Sequence, residues 1–206
     1  PESWWRQVLH TAFPPGPFTI NTSNPYTQTI PGYSFGGTGS YYTKVSSSTS
    51  LSKGQAAFDY NPATMWETND FVYDTSANGG GYIGTQTTTI DGVTVSGEWM
   101  DLGLPTGIVL NSYSLYARSG YAYRMPKNFK IAGSNDGTTW TTVDTQTNIT
   151  SWSGQTPITF NVTSSTVYLY FRIVITAITG TTVTSRVNIA GMTYYGSNAT
   201  WTTDFY

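Results

Sequence analysis

The sequence predicts an all-β domain, a sandwich or barrel, on three observations. From about Tyr41 onward, β-branched and aromatic residues cluster in short runs broken by Gly, Asn, Asp and Pro. No long 3.6-residue periodicity competes with those runs. The chain has 206 residues, enough for one sizeable domain with a full core.

The candidate strands are Gly97–Leu102, Val109–Ala117, Asn128–Gly133, Thr139–Gln146, Ile158–Val162, Val167–Ala177 and Val187–Tyr195. Several short strands joined by turns at this spacing suit a β-sandwich or barrel. The best-defined unit is Met125–Gln146. Phe129 and Ile131 alternate onto one face. Asn135, Asp136 and Gly137 tolerate positive φ at a tight turn, and Trp140 returns on the partner strand to pack across the hairpin. Asn78–Gly81 opens a segment expected to be a flexible loop running toward Gly92.

Residues 1–44 read differently. Pro1–His10 suits a short helix, and the Pro-rich stretch Phe13–Phe18 stops it. Turn formers with isolated aromatics follow. Such a segment builds no core of its own; it lies across the domain behind it or reaches to a partner. The expected organisation is an N-terminal arm over 1–44, a β domain over 45–196 and a tail over 197–206. Because the chain begins with Pro and no signal-like segment leads it, it reads as a processed chain or part of something longer.

Composition narrows the function. Only 10% of residues are charged, against about 25% in an average domain, so hydroxyls and amides wet the surface. Net charge is −2 and no long basic run exists, which argues against nucleic acid. No apolar stretch reaches the roughly 18 residues of a membrane span. Without cysteine there are no disulfides and no thiolate metal sites. Sixteen Tyr and seven Trp supply rings with polar tips. Sequons at Asn21, Asn148, Asn161 and Asn198 are glycan candidates in a eukaryotic secretory pathway.

Catalysis has few resources. His10 is the single His, no Gly-x-Ser-x-Gly elbow occurs, and the carboxylate pairs Glu67/Asp70 and Glu98/Asp101 have no partner the sequence points to. The chain is therefore expected not to be an enzyme. Binding is better supplied. Ala117–Pro126 carries Arg118, Tyr121, Tyr123 and Arg124 between two predicted strands, an aromatic platform with charged donors of the kind that grips a sugar. The alternative is a surface loop whose rings fold back on the sandwich edge. A second candidate is the long insertion Asp70–Gly92, with Phe71, Tyr73 and Tyr82. Trp152 and Arg186, in other predicted loops, could join.

The order of several segments carries a resemblance. Gly133–Trp140 (GSNDGTTW), Ala56–Thr68 (AAFDYNPATMWET), Gly97–Tyr116, Val167–Thr176 and Ser185–Gly196 resemble, in sequence order, the motifs of the discoidin family, also called coagulation factor 5/8 type C, which includes many carbohydrate-binding modules. The resemblance spans about Val45 to Gly196. It implies an eight-stranded jelly-roll sandwich with an irregular N-terminal arm, and ligand loops at the end opposite the termini. It puts Arg118–Arg124 at that ligand end and Trp66, Trp99, Trp140 and Arg172 at packed positions. In metal-containing members, a closing-strand Glu and the Asp matching Asp59 help hold a structural Ca²⁺. Here Gly191 stands in place of that Glu, leaving Asp59, Thr64 and carbonyls near Asn61 as candidate ligands. The alternative for Asp59 is a turn carboxylate bonded to local N–H groups.

The leading expectation is a glycan-binding or adhesion module of a larger secreted, surface or virion protein. Its partner would be a glycan on a cell surface or matrix. The alternative is a structural component of a virion or capsid type that docks a protein partner through residues 1–44. Membrane binding ranks last, because the loops carry Tyr and Thr more than exposed Leu, Phe or clustered Lys.

Overall fold

The computed structural model describes residues 11–31, 39–48, 53–74, 79–180 and 186–197. Its strands are β1 (Thr11–Phe13), β2 (Tyr26–Ile30), β3 (Gly39–Val45), β4 (Trp66–Glu67), β5 (Tyr73–Asp74), β6 (Gly81–Tyr82), β7 (Thr87–Ile90), β8 (Val93–Ser96), β9 (Glu98–Tyr116), β10 (Pro126–Ser134), β11 (Thr141–Gln146), β12 (Ile158–Asn161), β13 (Val167–Ile178), β14 (Asn188–Ile189) and β15 (Gly191–Ser197). Strand pairs are antiparallel throughout. The fold is the expected β-sandwich.

β9 organises it. Its first part pairs with β3 and β13, and its second part with β15 and β12. The two expected strands Gly97–Leu102 and Val109–Ala117 are thus one bent strand of 19 residues. The bend lies where the register with β13 shifts between Tyr168 and Tyr170. Pro105 falls there, where its missing N–H removes no ladder bond.

Alternation decides which side chains enter the core. Tyr41 and Val45 of β3, Met100 and Leu102 of β9, Phe129 and Ile131 of β10, and Phe171, Ile173 and Ile175 of β13 all point inward and are buried. Trp66 and Phe58 close one end of this core. Fully burying each such side chain contributes about 1.5–3 kcal/mol.

The N-terminal region corrects the expected boundary at residue 45. Phe13, Phe18, Ile30 and Tyr41 belong to the same core as β9 and β13. β1 pairs with β15, and the β2–β3 hairpin pairs with β9. The Phe18 N–H donates to the Phe58 carbonyl at 3.1 Å, and the two rings lie 6.2 Å apart. Where it is described, the segment expected to be an arm is built into the sandwich, because its isolated aromatics are core residues delivered by long-range strand pairing. The expected helix over 1–10 and the tail beyond 197 lie outside the described residues.

The insertion is also more ordered than expected. β7 and β8 form a hairpin closed by Asp91–Gly92, with φ of 53° and 75°. That geometry suits a two-residue primed turn. Asp91 fastens the turn to the sheet, accepting from Thr142 Oγ1 at 2.6 Å while its own N–H donates to the Trp140 carbonyl. Ile90, Ala132, Trp140 and Val174 then form a second buried cluster on the outer face, with Val95, Trp99 and Tyr170 packed against it. Trp140 therefore packs under this hairpin, on the face opposite Phe129. The turn beside it forms as expected: Gly137 has φ of 73°, and Asp136 accepts the Thr138 and Thr139 N–H groups at 2.8 and 2.6 Å.

Candidate functional site

One end of the sandwich gathers three separated segments: the β9–β10 connection, the residues after β4, and the approach to β14. Glu67 is their hub. β14 pairs with β4, placing Asn188 opposite Glu67. Asn188 Nδ2 donates to Glu67 Oε2 at 2.8 Å, and Arg186 Nη1 to Glu67 Oε1 at 2.6 Å. Arg124 Nη1 reaches Oε2 at 3.3 Å. Arg186 also pairs, through Nε, with Asp70. Both Glu67 oxygens are occupied, as charge-assisted bonds to a mostly buried carboxylate require.

The Tyr rings stack on this network. The Arg124 guanidinium lies 4.6 Å from the Tyr121 ring and 5.5 Å from that of Tyr123. Arg118 lies 4.6 Å from the Tyr121 ring, and the two rings are 5.9 Å apart. A short 3₁₀ turn, Ala122–Arg124, sets this spacing. Arg124 is buried, whereas Arg118, Tyr121 and Tyr123 are half-buried. The Arg118 carbonyl accepts the Tyr121 N–H at 3.0 Å, but its guanidinium makes no hydrogen bond to any described residue and rests on the Tyr121 ring. Beside Asp70, Phe71 is 69% exposed with φ of 59°. A bulky residue in that region is a genuine outlier, and such outliers cluster at ligand sites.

The structure brings Arg118, Tyr121, Tyr123, Arg124 and Arg186 together and leaves two expected ligand residues out. Trp152 is a core residue. It is 7% exposed, its indole N–H donates to the Pro126 carbonyl at 2.8 Å, and its ring packs on Phe160. Tyr82 is committed internally: its hydroxyl donates to Glu98 Oε1 at 3.0 Å and accepts from the Gln86 N–H, and its ring meets Tyr73. Arg124 and Arg186 belong to the cluster as its scaffold, since their guanidinium groups hold Glu67. Sequence reasoning weighed Glu67 and Asp70 only as an acid–base pair and missed Asn188. The signal for their roles is long-range pairing across 119 and 121 residues.

The expected Ca²⁺ ligands form a closed turn. Asp59 Oδ1 accepts the Asn61 N–H at 2.9 Å, and Oδ2 accepts the Thr64 hydroxyl at 2.5 Å. Asn61 Oδ1 accepts the Ala63 N–H, and the Asn61 carbonyl accepts from Thr64. Burial raises the Asp59 pKa against these hydrogen bonds. A Cβ at Gly191 would sit 1.9 Å from Cε1 of Tyr116, so the Tyr116 ring fills the space of a side chain there. Burial first, then the charge of Asp59, raises the Tyr116 pKa. Among the described residues no three His, Cys, Asp or Glu side chains gather as a metal group. One carboxylate whose oxygens serve its own turn does not fit an ion that takes six to eight oxygens.

Residues 81–171 match the family model described as the NedA-like galactose-binding domain of F5/F8 type C. The chain carries an F5/8 type C, galactose-binding-like fold. Solved structures similar to this chain include the family 32 carbohydrate-binding module of Clostridium perfringens NanJ in complex with galactose, at 16% identity and a TM-score of 0.52, covering 75% of this chain and 93% of that one. A family 32 module of a Clostridium perfringens family 89 glycoside hydrolase, in complex with GalNAc-β-1,3-galactose, gives 14% identity and 0.53, covering 76% and 95%. The family 32 module of AlyQ, in complex with 4,5-unsaturated mannuronic acid, gives 14% and 0.51, covering 75% and 94%. No curated protein matches the chain. Among the described residues, no helix is long and apolar enough to cross a membrane.

Proposed function

We propose that this domain is a non-catalytic carbohydrate-binding module, borne by a secreted or surface protein, whose loop-end cluster takes a galactose-type sugar. The observation that carries this reading is Arg118, held against the Tyr121 ring with its donors unspent. The sugar's apolar face would rest on Tyr123 or the exposed Phe71. Its hydroxyls would accept from Arg118, whose planar fork suits vicinal oxygens. The Glu67 network keeps the loops in place, so little ordering cost falls on binding. The solved structures with sugars bound support the same ligand class.

Catalysis fits the side chains poorly. Glu67 is occupied by two arginines and Asn188. Glu98 is held by Ser46, Ser47 and Tyr82, and Asp101 by Arg172. A glycosidase needs two carboxyls facing a shared cleft.

Calorimetric titration of galactose into the wild type and Arg118→Ala tests the reading. The expected result is saturable binding weakened about tenfold or more in the variant, the scale of losing one charge-assisted contact. Equal affinity in both proteins would reject this site.

A further inference from the structure

A groove of about 470 Å³ crosses the outer face of the sheet, away from the loop-end cluster. Strand register builds it. Thr27 lies opposite Tyr42, Tyr42 opposite Gly103, and Gly103 opposite Tyr170. These four residues form one row across β2, β3, β9 and β13. At a strand spacing of about 4.8 Å, the row spans roughly 14 Å. Gly103 makes the row continuous. A Cβ there would meet Tyr170 Cδ1 at 2.9 Å and Tyr42 Cβ at 3.2 Å, so only glycine lets the two side chains close over the strand. The rings stand edge to face, 6.3 Å apart. The next row places exposed Lys44 beside Asp101 and Arg172. The Asp136–Gly137 turn and Leu104 complete the walls.

The chemistry of the lining selects a ligand class. Asp101 is bound by Arg172 at 2.6 and 2.7 Å, and Asp136 is spent on its own turn. Lys44 and Arg172 balance these two carboxylates, so the groove has no net charge. The hydroxyls of Tyr42, Tyr170, Ser40 and Thr27 and the Lys44 ammonium make no hydrogen bond to described residues. Two half-buried phenol rings flanked by unspent hydroxyls suit an uncharged polyhydroxylated ligand. Nucleic acid would demand several free cations, and Lys44 is the one the lining offers. A peptide strand would need unpaired backbone, yet β3, β9 and β13 are paired on both sides here. The volume is that of a small-molecule site.

We infer that this groove is a second carbohydrate site that takes an internal segment of an uncharged oligosaccharide laid across the strands. It is independent of the loop-end reading, because it shares no residue with that cluster. Two sites on one domain would raise avidity for a multivalent glycan surface.

Residue-resolved amide NMR tests it, with galactose and cellotetraose titrated into the wild type, Arg118→Ala and Tyr42→Ala. Saturable shifts of the Tyr42, Lys44, Gly103 and Tyr170 amides with the tetramer are expected, and they persist in Arg118→Ala. Tyr42→Ala weakens them about tenfold. Lys44→Ala, on an exposed side chain, supplies the same comparison should Tyr42→Ala fail to fold. Absence of saturable shifts in the groove, or shifts that vanish in Arg118→Ala, would overturn the proposal. The amides of Arg118, Tyr121 and Tyr123 report separately on the loop end.

Discussion

Two arginines in this domain lie against aromatic rings, and their surroundings give them different work. Arg172 is clamped between Trp99 and Trp140, with its guanidinium 3.9 and 4.1 Å from their rings. It pairs bidentately with Asp101 and donates to Thr88 at 2.6 Å. The β7–β8 hairpin covers the cluster, and Arg172 is 7% exposed. Arg118 has one ring beneath it and no hairpin above it. Ring contact with a cation does not mark a ligand site by itself. Unspent donors do.

Replacing Arg172 with Met breaks the sealed side most severely. Asp101 is left buried and unpaired, and we expect a loss of about 3–5 kcal/mol in denaturant unfolding. Glu67→Gln acts on the scaffold beneath the open side. It removes the charge shared by Arg124 and Arg186, with an expected stability loss of about 1.5–3 kcal/mol and weaker galactose binding in the same protein. A variant that kept full affinity would separate the network from the site. Arg118→Ala, by contrast, should leave stability within about 0.5 kcal/mol of wild type. A large loss there would make Arg118 structural too and erase the distinction.

An alkaline scan sharpens the contrast from the core outward. Burial raises Tyr41 to about 12, and Tyr73, Tyr113 and Tyr194 are raised by burial as well. Unfolded tyrosines ionise near pH 10. A raised native pKa means that the unfolded chain releases its proton first, so this stability is intact below about pH 10 and declines as pH climbs through 12. Circular dichroism melts at stepped pH should show that decline. The smallest expected effect is at the Asp59 turn: adding Ca²⁺ or a chelator leaves the melting temperature unchanged. A rise with Ca²⁺ would mean that the turn opens to take the ion.

The central strands were legible because their alternation is strict and their turns carry Asn, Asp and Gly. The β10–β11 hairpin follows from Phe129, Ile131 and Gly137 alone. The β7–β8 hairpin was not read, although Asp91-Gly92 is a strong turn signal, because the glycines at 79–81 before it suggested a loop. β1 and β2 hide in Pro-rich sequence; β1 exists through β15, far along the chain, and β2 through the hairpin with β3 that β9 docks. The Arg118–Arg124 cluster was visible as local composition. Its support was not, since Glu67 meets Arg186 only after folding. Trp152 looked like an isolated loop aromatic, and the Pro126 carbonyl that claims its indole lies 26 residues away.

β9 has a consequence for how the domain opens. Because the same strand is flanked by β3 and β13 along its first part and by β15 and β12 along its second, neither half can be stripped away without freeing one edge of β9. Amides in the paired stretches of β9, residues 100–103 and 108–115, will trade their hydrogens for deuterium at the rate of whole-domain opening, while the β7–β8 hairpin exchanges through local fluctuation. The slowest protons in the molecule should therefore fall in those two stretches on either side of Pro105, and a sugar bound at the loop end should slow both together.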